Sequence, residues 1–277
     1  MELNDQEIED IVERVLEEDA AFHDVTSQAI VPKGAELRLR MVPREAAVIA
    51  GLPIAAAIVQ RMDPKAKIDL LIKEGEEVAA GTVLASFQGD ARGLLAAERA
   101  ALNVVQHLSG IATLTRAYVK RIEGTGAVLR DTRKTLPGLR RLEKYASALG
   151  GAQNHRPDLA SGILIKDNHL AIAGGLAEAV RRAKDAKCAP IEVECENMEE
   201  IHEAMAAGAD ILLLDNMSLK ALRTAVSSVS GRVKLEASGG VSFETIRAIA
   251  KTGVDFISVG KITHSAPAID VGLDLDS

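Results

Sequence analysis

The chain of 277 residues has no tryptophan, two tyrosines and four phenylalanines, so aromatic side chains make up only 2% of it. A core without large rings must be built from Ala, Val, Ile and Leu, which suit helices packed on strands. The 47% hydrophobic content is enough to bury such a core. Cysteine is almost as scarce: Cys188 and Cys195 form no CxxC pair and have no histidine beside them in zinc-ligand register. That argues against a disulfide framework and against a zinc site, and it suits a reducing cytoplasm. Positive charge is not in excess either. A formal net charge of −7 gives no general electrostatic reason to bind nucleic acid or an anionic membrane. No stretch approaches the ~20 apolar residues of a membrane span, and the start lacks the basic, then unbroken apolar, pattern of a secretory signal. The expectation is a soluble, cytoplasmic protein with small-molecule partners, binding neither nucleic acid nor membrane.

What is present falls into two grammars. After an amphipathic helix in MELNDQEIEDIVERVLEED, residues 24–90 carry short alternating runs, AELRLRMVPREAAVIAG and KIDLLIKEGEEVAAGTVLASFQG, punctuated by glycines in the manner of strands and turns. Ala91 to Thr115 reads as one or two helices, with Gly110 a candidate break. From Gly126 onward, aliphatic runs recur: GAVLR, GILIK, PIEVEC, DILLLD, RVKLEA and VDFISVG. Glu194, Asp215 and Glu236 stand 21 residues apart, and Ser238 and Gly260 stand 22 apart, the step of a repeated strand–helix unit. Runs this short and apolar throughout suit parallel strands covered on both faces, and six in succession point to a closed or nearly closed α/β barrel.

In such a barrel the carboxyl ends of the strands meet at one mouth, so the polar residues that close each run are expected to converge. Between Arg130 and Leu170 there are eight Lys or Arg against four Asp or Glu, an excess of +4 that leaves −11 for the rest of the chain. Arg133, Lys134, His155, Arg156 and Lys166 are therefore candidates to hold a small substrate rich in carboxylates or phosphates, since guanidinium forks bind such groups in bidentate fashion. Arg140, Arg141 and Lys144 are read instead as a solvated helix face. Glu194 and Asp215 suit a Mg²⁺ shared with substrate phosphates, or ribose hydroxyls, or salt bridges to the cations opposite. Ser238-Gly239-Gly240 and Gly260-Lys261-Ile262 follow the last two strands. They are either phosphate cradles or plain turns.

The stretch DTRKTLPGLRRLEKYASALGGAQNHRPDLASGILIKDNHL, residues 131–170, closely resembles the signature of the quinolinate phosphoribosyltransferase family. The likeness extends back through AERAALNVVQHLSGIATLT and DVTS, and forward through EVECEN, ADILLLDNMS, LEASGGVSFETI and VDFISVGKITHSAPAIDVGLDL, covering nearly the whole chain. It implies an α/β protein with a small N-terminal α/β domain over residues 1–110, an open, incomplete TIM-like α/β barrel over 111–268, and a tail, 269–277, that returns to the first domain. It also implies Arg133, Lys134, His155, Arg156 and Lys166 around a pyridine dicarboxylate, with Thr132 beside them and Arg99 reaching in from the partner of a homodimer. Glu194 and Asp215 would hold ribose and Mg²⁺, and Ser238–Gly240 with Gly260–Ile262 would cradle phosphate. The activity implied is phosphoribosyl transfer from phosphoribosyl pyrophosphate to quinolinate with decarboxylation, a step of de novo NAD synthesis, in which Lys134, Lys166, Glu194 and Asp215 are the catalytic candidates. NHR and KDNH together favour quinolinate over the acceptors of the sister branches.

Two other readings make distinct predictions. Lys166 at a strand end could form a Schiff base if it were desolvated. The glycine-punctuated run around Lys73 has the look of a biotinyl or lipoyl carrier, although Lys73 precedes the turn that a carrier lysine would occupy.

Overall fold

A computed structural model of the chain describes residues 2–276. The chain divides into two compact units, the first running through Arg116 and also taking in Arg141–Gly150 and the segment from Ser265, the second comprising Ala117–Arg140 and Gly151–His264. Helix Arg141–Gly150 thus belongs with the first unit, although sequence order sets it inside the barrel.

The first unit opens with helix Asp5–Glu18. Asn4 accepts from the Glu7 amide at 2.9 Å while the Glu7 carboxylate accepts from the Asn4 amide at 3.0 Å, so two orphan donors are satisfied reciprocally. Ile11, Val12 and Leu16 form its buried stripe. The DVTS motif is a second cap: Asp24 accepts from the amides of Thr26 and Ser27 and starts helix Val25–Ile30. Strands β1 (Glu36–Pro43), β2 (Ala47–Val48), β3 (Lys67–Leu70), β4 (Glu77–Val78) and β5 (Ala85–Asp90) follow, with helix Leu52–Met62 between β2 and β3. That helix begins at Gly51, whose side of the cap is empty. The Glu74 carboxylate supplies the missing acceptor, taking the amides of Gly51 and Leu52 at 2.8 and 2.9 Å.

A single helix then runs from Ala91 to Ile122 without interruption at Gly110. The glycine is there for a close approach: a Cβ at that position would run into the Pro267 carbonyl oxygen. The expectation of a break fails because one tolerated glycine does not stop a helix whose other residues propagate it.

The second unit holds β6 (Val128–Arg130), β7 (Ile163–Ile165), β8 (Ile191–Cys195), β9 (Ile211–Asp215), β10 (Lys234–Ser238) and β11 (Phe256–Ser258), all parallel in the order β6-β11-β10-β9-β8-β7. Eight strands close a TIM barrel; here six leave β6 and β7 as two edges, and the barrel is open. The last strand, β12 (Val271–Leu275), returns to the first unit and pairs antiparallel with β1, completing a sheet of order β12-β1-β5-β3. Among the described residues no helix is long and apolar enough to cross a membrane.

The barrel strands are not apolar throughout. Leu129, Val193, Cys195, Leu212, Leu214, Leu235, Ala237 and Ile257 are buried on one face, whereas the alternate positions carry Arg130, Glu192, Glu194, Asp215, Glu236, Ser238 and Ser258. Since side chains alternate along a strand, one face packs and the other carries chemistry. The burial of Cys195 pushes its thiol up to about 12, which makes it packing material rather than a nucleophile.

Helix Arg140–Gly150 is not the solvated basic face its sequence suggests. Lys144 and Glu143 are both fully buried, Arg140 donates to Thr135 Oγ1 and to the Pro157 carbonyl, and Arg141 forks onto Glu7. Lys144 stands three and four residues on from Arg141 and Arg140, on the same side of the helix, so charge spacing alone does not tell that it is buried.

Candidate active site

Strand register sets the depth of each inward side chain. Glu194 and Glu236 both pair with Leu213 on the strand between them, whereas Asp215 pairs with Ser238 one layer nearer the carboxyl ends. Equal sequence spacing therefore gives unequal depth, because strands in a barrel are staggered against one another.

Within the second unit a cavity of about 530 Å³ is lined by Thr132, Arg133, Lys134, His155, Arg156, Lys166, Glu194, Asp215 and the Ser238–Gly240 loop, together with Asn216, Glu236 and Ser258. The eight expected positions outside the glycine turns and Arg99 meet here, together with the first of those turns. Gly260 lies against the Lys134 and Thr132 side chains, one step behind the wall. Ile262 is fully buried, so only its backbone could serve a ligand, and Lys261 points to solvent; neither is among the lining residues. Arg99 stands exposed on the long helix of the first unit.

Arg133 and Arg156 are held without a bonded carboxylate. The Nε atoms of Arg133 and Arg156 are buried and have no partner among the described residues, and the Arg156 guanidinium donates through Nη1 to the Gly162 carbonyl, at 2.9 Å. Burial, and next the neighbouring Arg133, hold the Arg156 pKa below its ordinary value. A guanidinium disfavoured in this way beside a second one has an unmet demand for anions. The loop carrying Lys134 is braced by Thr132 Oγ1, which accepts the Lys134 amide at 3.0 Å, and by Thr263, whose hydroxyl donates to the Lys134 carbonyl at 2.7 Å.

Behind the cations lies a buried polar group in which Glu192 had no place in the sequence reading. His155 places Nε2 2.9 Å from Glu192 Oε2 and 3.8 Å from Glu236 Oε1. Glu236, wholly shielded from solvent, binds Arg130 at 2.6 Å and accepts the Ser258 hydroxyl. Burial first, and the Glu192 carboxylate second, raise the Glu236 pKa. The three carboxylate and imidazole ligand atoms lie within 4.8 Å of one another, a spacing that a metal ion could bridge. Arg130 already occupies part of that charge, so the arrangement serves better to fix the imidazole. The His155 amide and the Asn154 side chain are anchored on Asp131, at 2.8 and 2.7 Å. The alternation in IEVEC was the available signal for Glu192, one strand repeat below Glu194.

At the opposite wall Lys166 is ion-paired with Glu194, and its side chain is 46% exposed. A Schiff-base lysine needs desolvation, and this one has a carboxylate and water, so imine chemistry has no support. Asp215 accepts the Asn216 side-chain amide at 2.5 Å. Glu194 and Asp215 together make an oxygen-only donor pair of the kind that binds Mg²⁺ alongside substrate phosphates.

Comparison with known proteins decides among the chemistries such a cavity could host. A model of the quinolinate phosphoribosyl transferase N-terminal domain matches residues 24–109, and one of the C-terminal domain matches residues 111–274. The chain belongs to the quinolinate phosphoribosyltransferase family. Its members are pentosyltransferases, and so is this chain. A nicotinate-nucleotide pyrophosphorylase [carboxylating] of Mycobacterium leprae is 43% identical, with 96% of each chain covered. A probable one of Synechocystis is 46% identical over 85% of this chain and 82% of its own. The structure of the nicotinate-nucleotide pyrophosphorylase from Francisella tularensis superposes with a TM-score of 0.94 at 39% identity, covering 99% of this chain and 98% of that one. The open barrel after a small N-terminal domain is thus the architecture of quinolinate phosphoribosyltransferases.

Proposed function

We propose that the chain transfers the phosphoribosyl group of phosphoribosyl pyrophosphate to quinolinate, giving nicotinate mononucleotide, pyrophosphate and CO₂ in NAD synthesis. The observation that carries this reading is the meeting, in one cavity, of Arg133, Lys134, His155, Arg156 and Lys166 with Glu194, Asp215 and a glycine loop. A dicarboxylate fits the first group, and a ribose bearing phosphates fits the second.

Arg133, Arg156 and His155 orient the two carboxylates so that the ring nitrogen faces the anomeric carbon. Breaking the bond from that carbon to pyrophosphate builds oxocarbenium character on the ribose, and the ring nitrogen donates its pair to form the new C–N bond. Glu194 and Asp215 fit the ribose hydroxyls and Mg²⁺. When bound, Mg²⁺ supplies charge neutralisation to the departing pyrophosphate. The backbone amides of Ser238–Gly240 and Gly260–Ile262 are suited to the phosphates, and in the second loop only backbone is offered by Ile262. The acceleration comes largely from holding both reactants in register within preorganised charge.

Ribosylation leaves a positive charge on the ring nitrogen. The adjacent C2–carboxylate bond then breaks, CO₂ departs, and the electron pair left at C2, stabilised by that charge, takes up a proton. Lys134 or Lys166 escorts the departing carboxylate. The working form is taken to be a cytoplasmic homodimer in which the exposed Arg99 of one copy completes the dicarboxylate pocket of the other.

The test is release of pyrophosphate and CO₂ by purified protein with Mg²⁺ and phosphoribosyl pyrophosphate, comparing quinolinate with nicotinate. Stoichiometric release of both products with quinolinate alone is expected. Turnover of nicotinate would refute the carboxylating reading.

A further inference from the structure

Asn216 is the only non-glycine residue with a positive φ, 52°, among those lining the cavity, and it sits directly after Asp215 at the end of β9. Asparagine tolerates this left-handed conformation better than most residues do, so the backbone alone could account for it. Its side chain, however, faces two functional groups at once. Nδ2 donates to Asp215 Oδ2 at 2.5 Å, and Oδ1 lies where a Cβ on Gly239 would stand. The Asn216 amide donates to the Ser238 carbonyl at 2.9 Å, extending the β9–β10 ladder by one rung past the strand ends. Gly239, itself at φ 85°, has no room for a side chain because Asn216 fills that space.

One residue thus ties the acid at the end of β9 to the glycine loop at the end of β10. With Oδ2 engaged, the Asp215 carboxylate, which lines the cavity, is restrained by the Asn216 amide. With Oδ1 against Gly239, the loop backbone is kept from closing over the same space.

We propose that Asn216 is a positioning residue for the ribose-phosphate co-substrate, orienting the Asp215 carboxylate and setting the Gly239–Gly240 loop through one side-chain amide. This rests on the assignment of Asp215 and the glycine loop to phosphoribosyl pyrophosphate made above. Arg133 and Arg156 bind the other substrate and have no contact with Asn216 in this scheme, so the two substrates should respond differently.

The experiment is steady-state kinetics on Asn216→Gly, Asn216→Asp and Asp215→Ala, varying each substrate at saturation of the other, with thermal melts of each protein. Asn216→Gly removes the amide while keeping the left-handed backbone free of strain. It is expected to raise KM for phosphoribosyl pyrophosphate roughly tenfold, about 1.4 kcal/mol, with KM for quinolinate and the melting temperature unchanged. Asn216→Asp, which sets a carboxylate against Asp215, should raise it further. An unchanged phosphoribosyl pyrophosphate KM in Asn216→Gly, when Asp215→Ala raises it, would overturn the role of Asn216 and leave the site assignment standing. No effect in Asp215→Ala either would overturn the site assignment and the inference with it. Equal shifts in both KM values with a lowered melting temperature would reduce Asn216 to a structural joint and also overturn the proposal.

Discussion

Replacing Arg156 by alanine separates what this side chain does for the fold from what it does for the substrate. In the free protein the guanidinium is disfavoured: its pKa is lowered by burial and by Arg133, and its Nε has no partner. Its hydrogen bond to the Gly162 carbonyl is lost in the variant, but so is the repulsion from Arg133. The melting temperature of the free variant should therefore equal or exceed that of the parent. In the substrate complex the same guanidinium would make a charge-assisted, partly desolvated contact worth roughly 1.5–3 kcal/mol. That corresponds to a rise in quinolinate KM of roughly 10- to 150-fold, with KM for phosphoribosyl pyrophosphate unchanged.

A binding assay reads the same quantity without turnover. At a quinolinate concentration 100 times its Kd, the parent gains about 2.7 kcal/mol of stability, whereas a variant weakened 10- to 150-fold gains roughly 0.3–1.4 kcal/mol at that concentration. The thermal shift on adding ligand should shrink accordingly. An unchanged quinolinate KM, or an undiminished thermal shift, would refute the assignment of Arg156 to the dicarboxylate. A fall in the melting temperature of the free variant would refute the claim that the cation is held at a cost.

Two further predictions concern the first unit. Gly110→Ala should lower stability by at least ~1–3 kcal/mol, the usual cost of overpacking, because the new methyl meets the Pro267 carbonyl rather than a flexible side chain; a melting temperature equal to the parent's would show that the segment after Ser265 yields. Glu74 is held above its ordinary pKa by burial, which outweighs the opposing hydrogen bonds from Tyr145 and the amides of Gly51 and Leu52. A raised carboxyl contributes stability that is present below its unfolded pKa of about 4.3 and is lost as pH rises through the folded value. The stability of the parent relative to Glu74→Gln should therefore decline as melts are taken from pH 4 toward pH 7, and a flat difference would contradict the burial argument.

What could be read from the sequence was whatever repeats or closes an element. The step from Glu194 to Asp215 to Glu236 counts one strand and one helix each time, so the barrel and its mouth were legible. Depth was not legible. The stagger between β8, β9 and β10 decides that Glu194 and Glu236 share a layer while Asp215 rises above it, and stagger belongs to pairs of strands, not to either sequence. Glu192 was passed over for a related reason: in a five-residue strand, an inward acid between buried aliphatic residues looks like an interruption of an apolar run, whereas Glu236 was counted among the converging strand ends without a role of its own.

Lys144 shows the opposite error, a charge counted as solvated because its neighbours in sequence are charged, although every residue from Leu142 to Ser147 is buried. Pairing of charges bears likewise on how the pocket is built. The Nε atoms of Arg133 and Arg156 are left without a partner, whereas Arg130 and His155 are met directly by Glu236 and Glu192. Glu192 and Asp158 also act on Arg156, but burial and Arg133 outweigh them. The cations thus divide by whether a carboxylate bonds them directly: the imidazole is fixed in place, and the two guanidiniums keep a donor to give to a dicarboxylate.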